Sequence, residues 1–478
     1  MAGCGRISGS ASTSDAFWMN NSGLHSLSKS SYVSNYKVFR NIKTQYGAVG
    51  DGVADVNFNG IAVIDADPYF LGVSNPDGSG INWWTTRITS SALSETLLQK
   101  SRGCRLINMG PATSIINVDF KMYKASSTHH QGIYMENGSG GFMSDLTFDG
   151  GAFGMWISNQ QFTIRNVKIT NAVSAIYQLW NWGFTWQNIQ ISNCQVGFDL
   201  HTGGLTLDTQ SAAGVLIVDS KISSTGIGIR FSTSQPSSLA GSIVLDNVAF
   251  SGITTANIQD SSGTVLAANA APVGKWFQGN LYLGSSSRYL RGSYTSGGTG
   301  RPAALVDSNG NFFTRSRPQY QTFKDTQFQS LMAAGVGAKG DGVSDDTAAI
   351  NAFIAQSSGC AILLFEAGTY LVTDTIYVPP GTMIVGDMFS TIIASGSKFT
   401  DQNNPRPVIR VGNPGDIGDV ETSDMVITTQ GGSAGAICIE WNVRGSDNLK
   451  GTAGLWDVHI RLGGTKGTKI NSANCPTT

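Results

Sequence analysis

From residue 140 onward the chain repeats a short phrase in which Asn or Asp introduces alternating apolar residues. Asp145 precedes Leu146 and Phe148, Asn166 precedes Val167 and Ile169, Asn188 precedes Ile189 and Ile191, Asp219 precedes Ile222, and Asn247 precedes Val248 and Phe250. The introducing residues are 21, 22, 31 and 28 positions apart. Period-two alternation marks a strand that buries one row of side chains. Strands this short, returning between Gly, Ser and Asn turns, have no partner within their own repeat. They must bury their inward rows on the repeats before and after, which is the condition for a solenoid of strands. Asn or Asp at one corner of successive coils can also stack as a hydrogen-bonded ladder, which accounts for the regular polar introducer. Asp424 before Met425 and Ile427, and Asp457 before Val458 and Ile460, continue the habit. Two parallel β-helices are expected.

A second repetition locates their beginnings. Residues 46–55 read YGAVGDGVAD and residues 336–345 read VGAKGDGVSD. After the second copy, Ser344 or Asp345 can cap a helix whose apolar stripe is Ile350, Phe353 and Ile354 and which Gly359 can end. That helix is expected to cover an open first coil. Residues 361–365, the turn Glu366-Ala367-Gly368 and residues 369–372 then read as strand, tight turn, strand. The boundaries that follow are an N-terminal extension over 1–29, a first β-helix over 30–273, a crossover linker over 274–323 that breaks the coil rhythm, and a second β-helix over 324–478. The first copy continues differently. Residues 53–59 skip the capping helix, and residues 85–111 lack coil rhythm.

The bulk properties exclude some classes of partner. A formal net charge of -1 supplies no attraction for nucleic acid or an anionic membrane surface. No apolar run is long enough to span a bilayer, and the chain as written opens without a secretory signal. The six cysteines lie far apart with no C-x-x-C pair, and read as disulfides or buried thiols. The sequons at Asn20 and Asn137 matter only outside the cytosol. Gly335–Gly340 matches GxGxxG by letter, but Asp341, Asp345 and Asp346 would repel a pyrophosphate there.

The runs GAKGDGVSDDTAAINAFI, LLFEAGTYLV and IYVPPGTMIVGD resemble the leading module of the pectate-lyase-like β-helix superfamily. Two such modules in tandem, with HQGIYMENGSGGFMSDLTFDGG and GMWISNQQFTIRNVKITN in the first, resemble glycoside hydrolase family 55, over residues 30–52, 58–84 and 112–478. This resemblance implies an all-β fold of two tandem right-handed parallel β-helices, the second truncated at Thr478. It also implies exo-acting hydrolysis of laminarin-like β-1,3-glucan with inversion, an extracellular monomer, a polysaccharide partner, and neither metal nor cofactor. The general acid it implies is a glutamate beyond Thr478, so no catalytic acid is assigned.

Inverting hydrolysis needs one carboxyl to protonate the leaving oxygen and one base to activate water. The five glutamates are Glu95, Glu136, Glu366, Glu421 and Glu440; Glu95 lies in the stretch without coil rhythm, Glu366 reads as a turn residue, Glu136 opens a Gly-rich loop and Glu440 sits in a strand-like run, positions that a structural or solvated role explains. By the resemblance, Gln131 and Gln161 match positions that hold the attacking water. An amide that donates and accepts at once suits that task, and suits a ladder equally. Trp180, Trp182 and Trp186, with Phe184, would share one face of an extended strand, where they could stack on sugar rings or pack. Two rival readings are a pectin-active lyase or hydrolase of the same fold, and a non-catalytic carbohydrate-binding protein.

Overall fold

The computed structural model describes residues 7–12, 87–89, 104–106, 113–135, 138, 140–202, 211–231, 241–268, 273–293, 300–446, 450–462 and 468–469. The first GDG phrase, the irregularity at 53–59, Glu95, Glu136, Cys4, Cys475 and both sequons lie outside them. The chain divides into two compact units, with the boundary between Phe312 and Phe313.

The first unit is a 15-stranded sheet wound into coils. One face is made of β2 (Cys104–Leu106), β4 (Gln131–Met135), the start of β6 (Phe153–Thr170), the start of β7 (Ser174–Ser192), β8 (Val196–Leu200), β10 (Ile227–Phe231) and β12 (Ala256–Asp260). Each pairs in parallel with the next. The opposing wall is made of β1 (Arg87–Thr89), β3 (Thr113–Lys121), β5 (Gly141–Asp149), the second parts of β6 and β7, β9 (Gly214–Ser223) and β11 (Ser242–Ser251), again in parallel register. One inward column on the first face runs Ile133, Met155, Ile176, Phe198, Ile229, Ile258, one residue per coil, and all six are fully buried. Each such side chain is worth about 1.5–3 kcal/mol of burial, and only the coils above and below supply it.

The polar introducers sit at a turn inside each strand of the opposing wall from β3 onward. Asn117, Asp145, Asn166, Asn188, Asp219 and Asn247 all take the left-handed backbone, with φ between 50° and 60°. Asn and Asp tolerate that conformation where β-branched residues do not. Their side chains stack as expected: the Asn166 amide donates to Asp145 Oδ1 at 3.0 Å, Asn188 to Asn166 Oδ1 at 2.9 Å, and Asn247 to Asp219 Oδ1 at 2.7 Å. A second ladder, Asp149, Asn171, Asn193, runs along the next corner.

Two expectations change. Strands β1 and β2 lie within 85–111 and extend the coils there, so backbone pairing continues where the side-chain rhythm does not. The segment expected as a linker from 274 is part of the first unit up to Phe312. Gly263–Ala267 (β13) pairs antiparallel with β12, and Val273–Leu283 (β14) pairs antiparallel with β11 and with Ser286–Ser293 (β15). Arg301 then bridges Asp219 and Asp246 and lies over the Phe312 ring at 4.1 Å.

The second unit is built the same way. Phe328–Ser330 (β16), Asp341–Asp345 (β17), Ile362–Phe365 (β18), Thr369–Val372 (β19), Met383–Ala394 (β21), Val420–Thr429 (β23), Ala453–Trp456 (β25) and His459–Arg461 (β26) form one parallel sheet. Ile376–Val378 (β20), Arg406–Val411 (β22) and Ala436–Trp441 (β24) form another. The helix α1 (Thr347–Ser357) buries Ile350, Phe353 and Ile354, as its pattern predicts, and Gly359 at φ 75° follows its end. The acids of the GDGVSDD phrase close the loop before the helix. Asp341 Oδ1 accepts from the Val343 and Ser344 amides at 2.9 and 2.8 Å, Asp345 Oδ1 from the Thr347 amide at 3.0 Å, and buried Asp346 from the Lys339 and Gly340 amides at 2.7 and 3.0 Å. Gly340 takes φ 60°, the left-handed backbone that favours glycine, and a Cβ there would push Met332 Cε aside from 2.3 Å. Residues 313–323 belong to this unit, where Arg315 and Tyr320 grip Glu421 and Arg317 grips Asp424. Residues 8–11 of the expected N-terminal extension bond to Thr322 and Gln327. Cys360 is in a disulfide, while Cys194 and Cys438 are free thiols.

Asn166→Ala loses two ladder bonds at about 1 kcal/mol each and places Ala in the left-handed region at about 1–2 kcal/mol. Asn166→Gly loses the bonds alone. Denaturant midpoints are expected to fall for both and further for Ala; equal falls would show that the turn imposes no backbone demand. The Ser344 and Val343 amides hold the Asp341 carboxyl below its usual range. Its contribution is present above about pH 4 and is lost as pH falls through that lowered value. Asp341→Asn is expected to flatten the acid limb of the stability curve measured by chemical denaturation.

Candidate functional site

The outward side of the first unit's first face carries a row of rings. In register from coil to coil stand Tyr134, Trp156, Tyr177, Asp199, Arg230 and Gln259. Tyr134 and Trp156 are 5.5 Å apart between centroids, and Trp156 and Tyr177 are 4.7 Å apart. Phe153, three residues before Trp156 on the same strand, closes on both Trp156 at 4.9 Å and Tyr177 at 5.4 Å, and His201 flanks Tyr177 at 5.5 Å. Phe153, Tyr134, Trp156 and Tyr177 are all half-buried and His201 is exposed. The row exists because the coil directs one side of each strand inward and the other outward. Its next position is an ion pair in which Arg230 donates through both Nε and Nη2 to Asp199. Burial, with the Asp199 charge adding to it, pushes the Tyr177 phenol up, so this hydroxyl stays a hydrogen-bond donor. Half-exposed ring faces beside a paired carboxylate and guanidinium can stack on C–H faces while bonding hydroxyls.

Gln131 opens β4 in register with Phe153, at the margin of this row. Gln161 does not join it. The chain bends between the two faces at Ser158–Gln160, where Asn159 Oδ1 accepts from the Gly140 amide at 3.1 Å and the Gln160 amide at 2.8 Å. Gln161 lies past that bend, exposed, in register with Gly183.

The tryptophans of 180–186 do not share one face. Trp180 is buried at 8%, Trp182 is 64% exposed, and Phe184 and Trp186 are buried again. The phase slips at Asn181, whose Oδ1 turns inward to accept from the Ala213 and Gly214 amides at 3.0 Å each. Trp186 has no exposed surface and donates its indole N–H to the equally buried Gln178 Oε1 at 3.3 Å. Its ring is core and offers no face to a sugar. Tyr134, Trp156 and Tyr177 escape the sequence analysis although they carried a signal. They recur 22 and 21 residues apart, the period of the Asn ladder, each beside a residue of the inward column.

A family model described as rhamnogalacturonase A/epimerase, pectate lyase-like, matches residues 54–199 and 333–446, more than half of the chain. The chain belongs to this pectate-lyase-like family. It is also similar to a glucan 1,3-beta-glucosidase of Cochliobolus carbonum, 37% identical over 97% of the chain and 66% of that relative. A probable glucan endo-1,3-beta-glucosidase of Arthroderma benhamiae is 32% identical over 94% of the chain and 62% of its own length. A protein named non-secreted LysM effector LysM19, of Penicillium expansum, is 34% identical over 99% of the chain and 42% of its own length. The chain thus spans less than two thirds of the length of each of these relatives.

In this family member, the described glutamates are committed elsewhere. Glu366 is buried in its turn and accepts from the Met332 amide at 3.0 Å. Glu421 is buried between Arg315 and Tyr320. Glu440 is held low by the Asn442 amide and by Arg410, the opposite of what a general acid requires. Among the described residues no three His, Cys, Asp or Glu side chains gather as a metal site. Glu421→Gln leaves Arg315 without its counter-charge and is expected to destabilise the protein by roughly 3 kcal/mol. A lowered thermal midpoint with unchanged turnover by the folded fraction checks this; intact stability with lost turnover would make Glu421 catalytic.

Proposed function

We propose that the chain acts on β-1,3-glucan as a glycoside hydrolase, taking the polymer on the Tyr134, Trp156 and Tyr177 row. The 37% identity to a glucan 1,3-beta-glucosidase over 97% of the chain carries this reading, and the ring row supports it as a surface suited to uncharged sugar faces. The finer reading is removal of glucose from the non-reducing end with inversion, with Gln131 positioning the attacking water at the margin of the row. Inversion requires acid and base roughly 6.5–9.5 Å apart with water between them, and an amide can hold that water by donating and accepting together. Asp199 and Arg230 would bond sugar hydroxyls as a charged pair. The disulfide at Cys360 fits an oxidising compartment, and with it an extracellular location; the name of the Penicillium expansum relative points the other way.

The family description favours a second reading, cleavage of pectic polymers. Incubating the protein with laminarin and with homogalacturonan in parallel separates the two. Glucose appearing first as the α anomer by NMR is expected from laminarin; β-glucose would overturn inversion, longer oligosaccharides would overturn exo action, and products from homogalacturonan alone would support the second reading. Trp156→Ala is expected to raise KM for laminarin about tenfold, the equivalent of about 1.4 kcal/mol of stacking and contact.

A further inference from the structure

Residues 7–12 belong to the second unit although the first unit separates them from it in sequence. Ser10 stands 317 positions before Gln327, and the two are bonded. Gln327 uses both ends of its amide: Oε1 accepts from the Ser10 amide at 3.1 Å, and Nε2 donates to the Ser8 carbonyl at 2.9 Å. The Ala11 amide donates to the Thr322 carbonyl at 2.9 Å. A Cβ on Gly9 would overlap that same carbonyl oxygen, so glycine is what lets the two backbones approach. Ile7 packs on a cluster of Tyr320, Phe328, Ile362, Leu364, Met383 and Val385, on the side of β18 and β21 turned away from the coil interior. Ile362 follows Cys360 by two residues. Cys360 is in a disulfide, and Cys194 and Cys438 are free thiols, so its partner is Cys4, Cys104 or Cys475.

We infer that residues 7–12 are a clasp on the start of the second unit and that Cys4 locks it, as the disulfide partner of Cys360. Ile7 and Ile362 share one cluster; Cys4 precedes the first by three residues and Cys360 precedes the second by two. Three residues reach at most about 11 Å, so the two backbones can meet at the separation of about 4.4–6.8 Å that a disulfide requires. Cys104 lies on a strand of the first unit. Cys475 follows Thr468, which bonds Gly431, past the end of β23 and two coils on from β18. The clasp holds residues 320–328 over the outward apolar row, and through Tyr320 it steadies buried Glu421. In an oxidising compartment the lock stays closed. A dithiol reductant supplies the two electrons that turn the disulfide into two thiols, itself becoming a disulfide, and the clasp is then held by its hydrogen bonds and Ile7 alone. The second unit thus carries a strap whose hold follows the redox state of its surroundings. Nothing in this depends on the substrate.

Peptide mapping of the whole protein without reductant tests the lock. A linked pair carrying Cys4 and Cys360 is expected, and Cys360 is expected to react with iodoacetamide in Cys4→Ser and not in the wild type. Cys360 linked to Cys104 or to Cys475 overturns the inference. Hydrogen exchange, read by mass spectrometry on peptides covering residues 7–12 and 320–328, tests the clasp. Gly9→Val and Gln327→Ala are each expected to speed exchange in both peptides about tenfold once the protein is reduced with dithiothreitol, and less while the disulfide is intact. Exchange that neither substitution changes in the reduced protein overturns the clasp, as does exchange in the wild type that reduction leaves unaltered.

Discussion

Each coil of this protein is too small to make a core of its own, and that constraint shapes everything else. Inward side chains such as Ile133, Met155 and Ile176 leave water only because the same position in the next coil lies directly over them. Such stacking demands a fixed register, since a slip of one residue would turn the whole inward row out. The Asn and Asp ladder enforces the register at the corner. Its members share a left-handed backbone; Asn166 both donates to Asp145 and accepts from Asn188, while Asp145 and Asp219 accept. Register, once fixed, also orders the outside: whatever occupies the outward position of each strand becomes a row at coil spacing.

That outward order is where function enters. On one face it aligns three aromatic side chains and an ion pair. That surface needs no specialised loop. On the function proposed above, a polymer of repeating sugars meets a protein of repeating coils, and the two periodicities make an extended contact. The segments around Arg301, and separately around Arg315 and Arg317, are spent differently: their charges are buried against Asp219, Asp246, Glu421 and Asp424 and tie chain to coil within each unit.

Much of this was legible in the sequence, for physical reasons that differ between parts. The ladder residues could be placed because both the residue type and the interval recur, and the helix after Asp346 because its stripe and terminating glycine are local. The site was harder to read. The run from Trp180 to Trp186 obeys period-two alternation only until Asn181 turns inward to bond the next coil, and no local pattern announces a corner. Gln131 and Gln161 are separated for the same reason, by a bend inside the 18-residue strand β6, where its register with β7 shifts between Ile157 and Ser158. Tyr134, Trp156 and Tyr177 carry the coil period openly, but each stands beside an inward apolar residue and by residue type does not separate from the core as a recurring Asn or Asp does. Residues 87–89 and 104–106 show the converse: backbone pairing there continues in a stretch without a side-chain signature.

The central claim is that coil stacking presents Tyr134, Trp156 and Tyr177 as the surface on which sugar is held. A crystal structure of the protein soaked with laminaritriose tests it most directly. Glucosyl rings stacked along these three side chains, with hydroxyls bonded to Asp199 and Arg230, are the expected result. An ordered trisaccharide bound elsewhere, with this row left bare, would contradict it.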